Sequence, residues 1–249
     1  MMSSTAWRAV FALVLAFPLA RPSSLAAQER DYTNLKWWHP VVASAGIATL
    51  FVVDGPVRDY VQGHRSASLD DVSDVAAKFH NPRVFIVSGA GSMALGLLIR
   101  EPRVAETGLQ ILTAYALSSG VMIGTKWAFG RSRPSVTPDD NTVFDMMGGN
   151  ENAAFPSGAS AVTFSLATTL SDAIGHPAAT IALYGGATLN AWARVNADRH
   201  WVSDVALGAV YGIAAAKIVN GKWRFFGWPP PTVGIDAWGR TTVGYTVPW

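Results

Sequence analysis

Three separate stretches of this 249-residue chain carry residues whose types and spacing suit an oxyanion and its chemistry. The first, KWAFGRSRP, supplies Lys126, Arg131 and Arg133, with Pro134 expected to stop a helix. An ammonium acts as a point charge, whereas a guanidinium fork grips two oxygens of one phosphate. The second, FPSGAS, holds Pro156, Ser157 and Gly158. It reads as a helix start, where unpaired N–H groups point outward and a glycine lets a ligand approach the backbone. The third, ARVNADRHWVSD, contains Arg194, His200 and Asp204. His200 and Asp204 are four residues apart, so a helix beginning near them presents both on one face. A carboxylate bonded to one imidazole nitrogen fixes the tautomer and leaves the other free to attack an electrophile. Taken singly, each stretch has a plainer reading: cations completing a helix C-terminus, Ser157 as an N-cap, a solvated histidine beside a capping acid.

Such residues need elements to position them. Six apolar stretches, at about 38–53, 84–99, 107–129, 158–174, 178–193 and 201–219, lack strand-like alternation and are long enough to favour helices. The chemical residues fall at or just beyond their ends. Gly89, Gly91, Gly96, Gly185, Gly186, Gly208 and Gly212 are small enough to let helices approach closely. Between the first two stretches lies a polar segment. Its capping pattern at Ser68 and Asp71, with apolar Leu69, Val72, Val75, Ala76 and Phe79, predicts one or two short surface helices. After Phe226 a run of three prolines ends helical structure, and the tail alternates loosely around Gly239, as a hairpin would. The expected fold class is all-α, a membrane-embedded bundle of about six core helices with a short extended C-terminal tail. The expected organisation is a signal peptide over 1–27, the helical domain over 28–226 and a Pro-rich tail over 227–249.

Half of the residues are hydrophobic and 14% are charged, against about 25% in ordinary soluble domains. That balance favours a bilayer-embedded bundle over a periplasmic globular one. A net charge of +2 without a Lys/Arg run leaves no footprint for nucleic acid. The absence of cysteine excludes disulfides, thiolate metal sites and a cysteine nucleophile. The run WRAVFALVLAFPLA, followed by small residues, reads as an export signal cut near Ala26 or Ala27, an uncleaved anchor being the other reading. Five crossings, with the first stretch on the surface, put the chemical residues outside and Lys217, Lys222 and Arg224 inside, as the positive-inside rule prefers. The expected location is therefore the cell envelope, with the site facing outward.

Together the three stretches resemble the signature of the type 2 phosphatidic acid phosphatase and vanadium haloperoxidase superfamily: KxxxxxxRP, then PSGH, then SRxxxxxHxxxD. Lys126, Arg133 and Pro134 match the first motif in full. Pro156, Ser157 and Gly158 match the second, with Ala159 in place of its histidine. Arg194, His200 and Asp204 match the third, with Ala193 replacing its serine. The resemblance covers about residues 40–220 and includes the order of the helices. It implies a phosphohydrolase of a lipid phosphate or diphosphate, working beside membrane lipids without metal or other cofactor. By that resemblance Lys126, Arg133, Arg194 and the backbone N–H groups of Ser157 and Gly158 bind the phosphoryl oxygens. His200 attacks phosphorus to give a phosphohistidine, and Asp204 holds the imidazole.

The histidine absent at Ala159 would protonate the leaving oxygen and then activate water. Such assistance is typically about 10²–10⁴-fold, or roughly 3–5 kcal/mol of barrier. The expectation is a crippled or leaving-group-restricted phosphatase that prefers diphosphates, with Asp139, Asp140 and Asp145 as acids that a loop can bring over the pocket. The alternative is a catalytically inactive phosphate or lipid-headgroup binding protein on the same scaffold. A vanadate haloperoxidase ranks last, since that chemistry also depends on the missing histidine.

Overall fold

The computed structural model describes residues 32–225, 232–235 and 241–244. The expected signal segment at 1–27 lies outside the described residues. Among the described residues there are seven α-helices: α1 Trp38–Gly63, α2 Ala67–Ala77, α3 Pro82–Ile99, α4 Pro102–Phe129, α5 Gly158–Ile174, α6 Pro177–Asn196 and α7 Val202–Val219. A 3₁₀ turn, Lys78–His80, links α2 to α3. Each of the six apolar stretches is a helix, and α2 is the short one between the first two. Strand β1 (Thr33–Leu35) pairs in parallel with β2 (Trp223–Phe225), and β3 (Thr232–Ile235) pairs antiparallel with β4 (Thr241–Gly244). β3 lies against α4.

Two boundaries differ from the sequence reading for physical reasons. α1 continues through Pro56 to Gly63 rather than ending near residue 53. Asp54, Arg58 and Gln62 recur every four residues, so a continued helix carries all three on one face. Each finds a partner in the 195–203 region, which repays the extension. α1 therefore packs along the bundle through this face. α2 is capped by Ser66, which accepts from Leu69 N, and not by Ser68. Its apolar Leu69, Val72 and Val75 stay exposed, while Ser73 and Ala76 are buried on the side that meets α6.

The core is built from small residues. Phe164, Ala167, Ala187, Ala191, Val195 and Val205 join α5, α6 and α7, while Val84, Phe85 and Val162 join α3 to α5. Helices α1, α3 and α7 are long and apolar enough to cross a membrane. Only 11% of the most apolar window of α1 is buried, so its outer face is an apolar surface suited to lipid. The chain is thus a membrane-embedded helical bundle. The β1–β2 pair joins the start of α1 to the end of α7, at the opposite end of the bundle from Gln62 and His200.

Gly96, Gly89, Gly208 and Gly212 sit at close helix approaches, whereas Gly91, Gly185 and Gly186 face open space. A methyl at Gly212 would overlap the Ala161 carbonyl and stand 2.8 Å from Ser165 N. Gly212→Ala is expected to lower the apparent melting temperature in detergent by the equivalent of about 1–3 kcal/mol. Gly185→Ala, into open space, should leave it unchanged or raise it.

Candidate active site

Four helix ends meet on one side of the bundle: the C-termini of α4 and α6 and the N-termini of α5 and α7. α4 stops at Phe129, not at Pro134, because Gly130 turns the chain at φ 60° and returns its N–H to Lys126 O at 2.8 Å. A side chain at Gly130 would overlap the Asp145 carbonyl, so the loop packs directly on this turn. Backbone bonds then stitch the loop to the motifs. Ala154 N donates to Arg131 O at 2.9 Å, and Ser157 N donates to Asp204 O at 2.9 Å. Trp201 Nε1 donates to Ser132 O at 3.1 Å. The three sequence stretches therefore form one unit.

His200 is buried, and it lies just before α7 rather than within it. Its Nδ1 is 2.8 Å from the carbonyl oxygen of Ala154. A carbonyl only accepts, so Nδ1 carries the hydrogen and Nε2 keeps its lone pair. Asp204 Oδ2 stands 3.6 Å from Nδ1, too far for a hydrogen bond. The direct orienting contact expected of Asp204 is made by the Ala154 backbone, and Asp204 supplies a nearby negative charge. Burial, together with the charges of Lys126 and Arg194, outweighs Asp204 and pulls the His200 pKa down from 6.5 to about 4. The ring is neutral at physiological pH, the form that can attack.

The charges of Lys126 and Arg194 thus act on the His200 ring. Lys126 Nζ donates to Ala153 O, on the loop leading into α5. Arg133 donates from Nε to Asn150 O at 3.0 Å and from Nη2 to Asn150 Oδ1 at 3.2 Å. Burial, then the Arg199 charge, lower the Arg133 pKa against the opposing influence of Asp204. Arg194 Nε is buried without a hydrogen-bond partner. Ser157 departs from its expected part. Its N–H is spent on Asp204 O and its hydroxyl accepts from Ser160 N, so it ties two motifs together and cannot offer that N–H to phosphate. Gly158 and Ala159 follow it as the first residues of α5, where amide N–H groups have no intrahelical partner. Of the loop acids, Asp140 is turned onto Thr142, and Asp145 accepts from Asn152.

Sequence reasoning missed a buried ionic network behind this site. Arg131, fully buried, donates from Nη1 to Asp204 Oδ1 at 2.7 Å and from Nη2 to Asp54 Oδ2 at 2.7 Å. Asp54 accepts from Ser203 N at 2.9 Å and Ser203 Oγ at 2.6 Å. Asp204 Oδ2 accepts from Trp201 N at 2.7 Å. The Arg131 guanidinium also lies over the Phe51 ring, 4.2 Å from its centroid. The four-residue rhythm of Asp54, Arg58 and Gln62 was the available signal for the α1 side of it.

Cationic side chains, a helix N-terminus and an imidazole held through Nδ1 thus stand at the helix ends on one side of a membrane-embedded helical bundle. Residues 107–227, which include all three motifs, match the model of the PAP2 superfamily. It is 32% identical over 110 residues to a lipid A 1-phosphatase of Porphyromonas gingivalis, a match that spans 43% of this chain and 21% of that relative's length. The fold resembles the crystal structure of Aquifex aeolicus LpxE, with a TM-score of 0.53 and 23% identity, over 67% of this chain and 93% of that one. It also resembles a transmembrane PAP2-type phosphatidylglycerolphosphate phosphatase of Bacillus subtilis, with a TM-score of 0.57 and 19% identity, over 74% and 95% of the two chains.

Proposed function

We propose that this chain is a phosphatase that releases phosphate from a lipid phosphate or lipid diphosphate through a phosphohistidine on His200. The observation that carries the reading is the state of that ring: Nδ1 is committed to the Ala154 carbonyl, so Nε2 keeps its lone pair, and the charges of Lys126 and Arg194 act on the ring. Their fixed positive charge favours the charge that develops on phosphoryl oxygens as phosphorus is attacked. The relatives named for lipid phosphatase activity support the substrate class. So does a cavity of about 290 Å³ that adjoins Lys126 and is walled by apolar Ile123, Trp127 and Met147 as well as Asn150 and Asn152. A phosphate at Lys126 would leave an apolar body in that cavity.

Ala159 shapes the reaction. Without an imidazole on α5, proton transfer falls either to a leaving group that needs none, such as the phosphate of a diphosphate, or to a donor from another element. Ala159 also favours the second reading, a phosphate or headgroup binder without turnover.

Purified protein assayed on a lipid monophosphate, a lipid diphosphate and an aryl phosphate is expected to release phosphate from all three. The diphosphate or aryl ester should exceed the lipid monophosphate in kcat/KM by at least about tenfold. Release from none of them, with phosphate still bound, would establish the binder instead.

A further inference from the structure

The turn between α6 and α7 carries a cation that the three motifs do not name. Arg199 stands between Asp198 and His200, and this turn is anchored at each residue. Asp198 takes φ 54°, a conformation that favours glycine, and its carboxylate accepts from Arg58 Nε at 2.8 Å and Nη2 at 2.9 Å. Asp198 O accepts from Ser135 N at 3.2 Å, which lays the segment just after Arg133 against the turn. Arg199 N donates to Arg194 O at 3.1 Å, and His200 is held through Nδ1 by Ala154 O. These bonds gather the backbones of Arg133, Arg194 and Arg199 around the nucleophile.

Asp198 next door is spent on Arg58, so it does not neutralise Arg199. The Arg199 side chain is exposed and, among the described residues, has no hydrogen-bond or carboxylate partner. Its two cationic neighbours are no better matched. Arg133 donates to the uncharged oxygens of Asn150, and Arg194 Nε is buried without a hydrogen-bond partner. The charge of Arg199 acts on both of them. Like charges held in one another's field repel, and an anion placed among them relieves that repulsion. A single phosphoryl group carries about two negative charges. Lys126, Arg133 and Arg194 already exceed that, so Arg199 is positive charge beyond what one phosphate requires. A second phosphoryl group is the ligand that matches it.

We propose that Arg199 binds the second phosphoryl group of a diphosphate substrate and thereby selects diphosphates over monophosphates. The proposal deepens the phosphatase reading above and rests on it for turnover. His200 Nε2 forms a bond to the terminal phosphorus as the bond from that phosphorus to the bridging oxygen breaks. The electron pair goes to the bridging oxygen, which departs as part of the lipid monophosphate. Ala159 has no proton to give it. Arg199 instead offsets the negative charge that the departing phosphate gains, and the guanidinium keeps its own protons throughout.

The test compares kcat/KM on a lipid diphosphate and on the monophosphate of the same lipid, for the unaltered protein, Arg199→Gln and Arg199→Lys. Arg199→Gln is expected to lose at least about tenfold on the diphosphate and less than about threefold on the monophosphate. Arg199→Lys keeps the charge without the fork and should recover at least about threefold of the diphosphate rate. Equal losses on the two substrates, or no loss on the diphosphate, would overturn the proposal.

A binding measurement separates this idea from the phosphatase reading. By calorimetry in detergent, methylenediphosphonate, which cannot be hydrolysed, should bind the unaltered protein at least about tenfold more tightly than inorganic phosphate. In Arg199→Gln that preference should shrink to about threefold or less, with phosphate affinity kept. A protein that turns over no substrate yet shows this Arg199-dependent preference would sink the phosphatase reading and leave the second subsite standing. An active protein whose preference is the same with and without Arg199 would sink the subsite alone.

Discussion

His200→Ala is expected to reduce phosphate release on the order of 10⁴-fold or more on every substrate, since His200 is the nucleophile of the proposed covalent route. The loss should appear in kcat with phosphate affinity nearly kept, because Lys126, Arg133 and Arg194 remain. Acid quenching of the unaltered protein during turnover should trap phosphate on a histidine, and the variant should trap none. Turnover surviving in the variant would refute the assignment.

The pH profile is a second readout of the same residue. Attack needs neutral imidazole, and burial holds the His200 pKa at about 4 instead of 6.5. The acid limb of kcat/KM should therefore fall near pH 4, with activity persisting through pH 5–6 where an unperturbed histidine would already be protonated. Stability carries the matching sign. The unfolded chain binds this proton more readily than the folded one, so the contribution of His200 is complete above about pH 6.5 and is lost as pH falls below it.

Arg131→Met is expected to destabilise the bundle by about 3–5 kcal/mol, read as a large fall in melting temperature in detergent. The reason is the fate of its partners. Arg131, Asp54 and Asp204 are all fully buried, and removing the cation leaves two carboxylates without their charge-assisted bonds. Asp54→Asn should cost less, because the amide oxygen can still accept from Arg131 and Ser203. Arg131→Met should also move the acid limb upward. Asp204, no longer paired, would then favour the protonated form of the nearby His200 ring more strongly. A melting temperature equal to that of the unaltered protein would show that the network is not a structural brace. An unmoved acid limb would show that it does not reach His200.

Much of this protein was legible in its residues. The six apolar stretches are helices because their patterning leaves no strand period, and the chemical residues lie at helix ends because Gly, Pro and Ser punctuate there. The types of Lys126, Arg133, Arg194 and His200 suit an anion and a nucleophile without any coordinates. Side-chain chemistry and periodicity are local properties, and a sequence states them directly.

Tertiary structure decided the pairings. Nδ1 of His200 is held by the carbonyl of Ala154, 46 residues away, and a backbone acceptor has no spelling in the sequence. Ser203 meets Asp54 across 149 residues, and that pairing exists only because α1 continues past Pro56. Arg131 and Arg133 look alike in KWAFGRSRP, yet one is sealed between two carboxylates and the other reaches only Asn150 on the loop. Which polar group is left for a ligand depends on what every other buried group has already bonded, and that accounting closes only when distant segments meet.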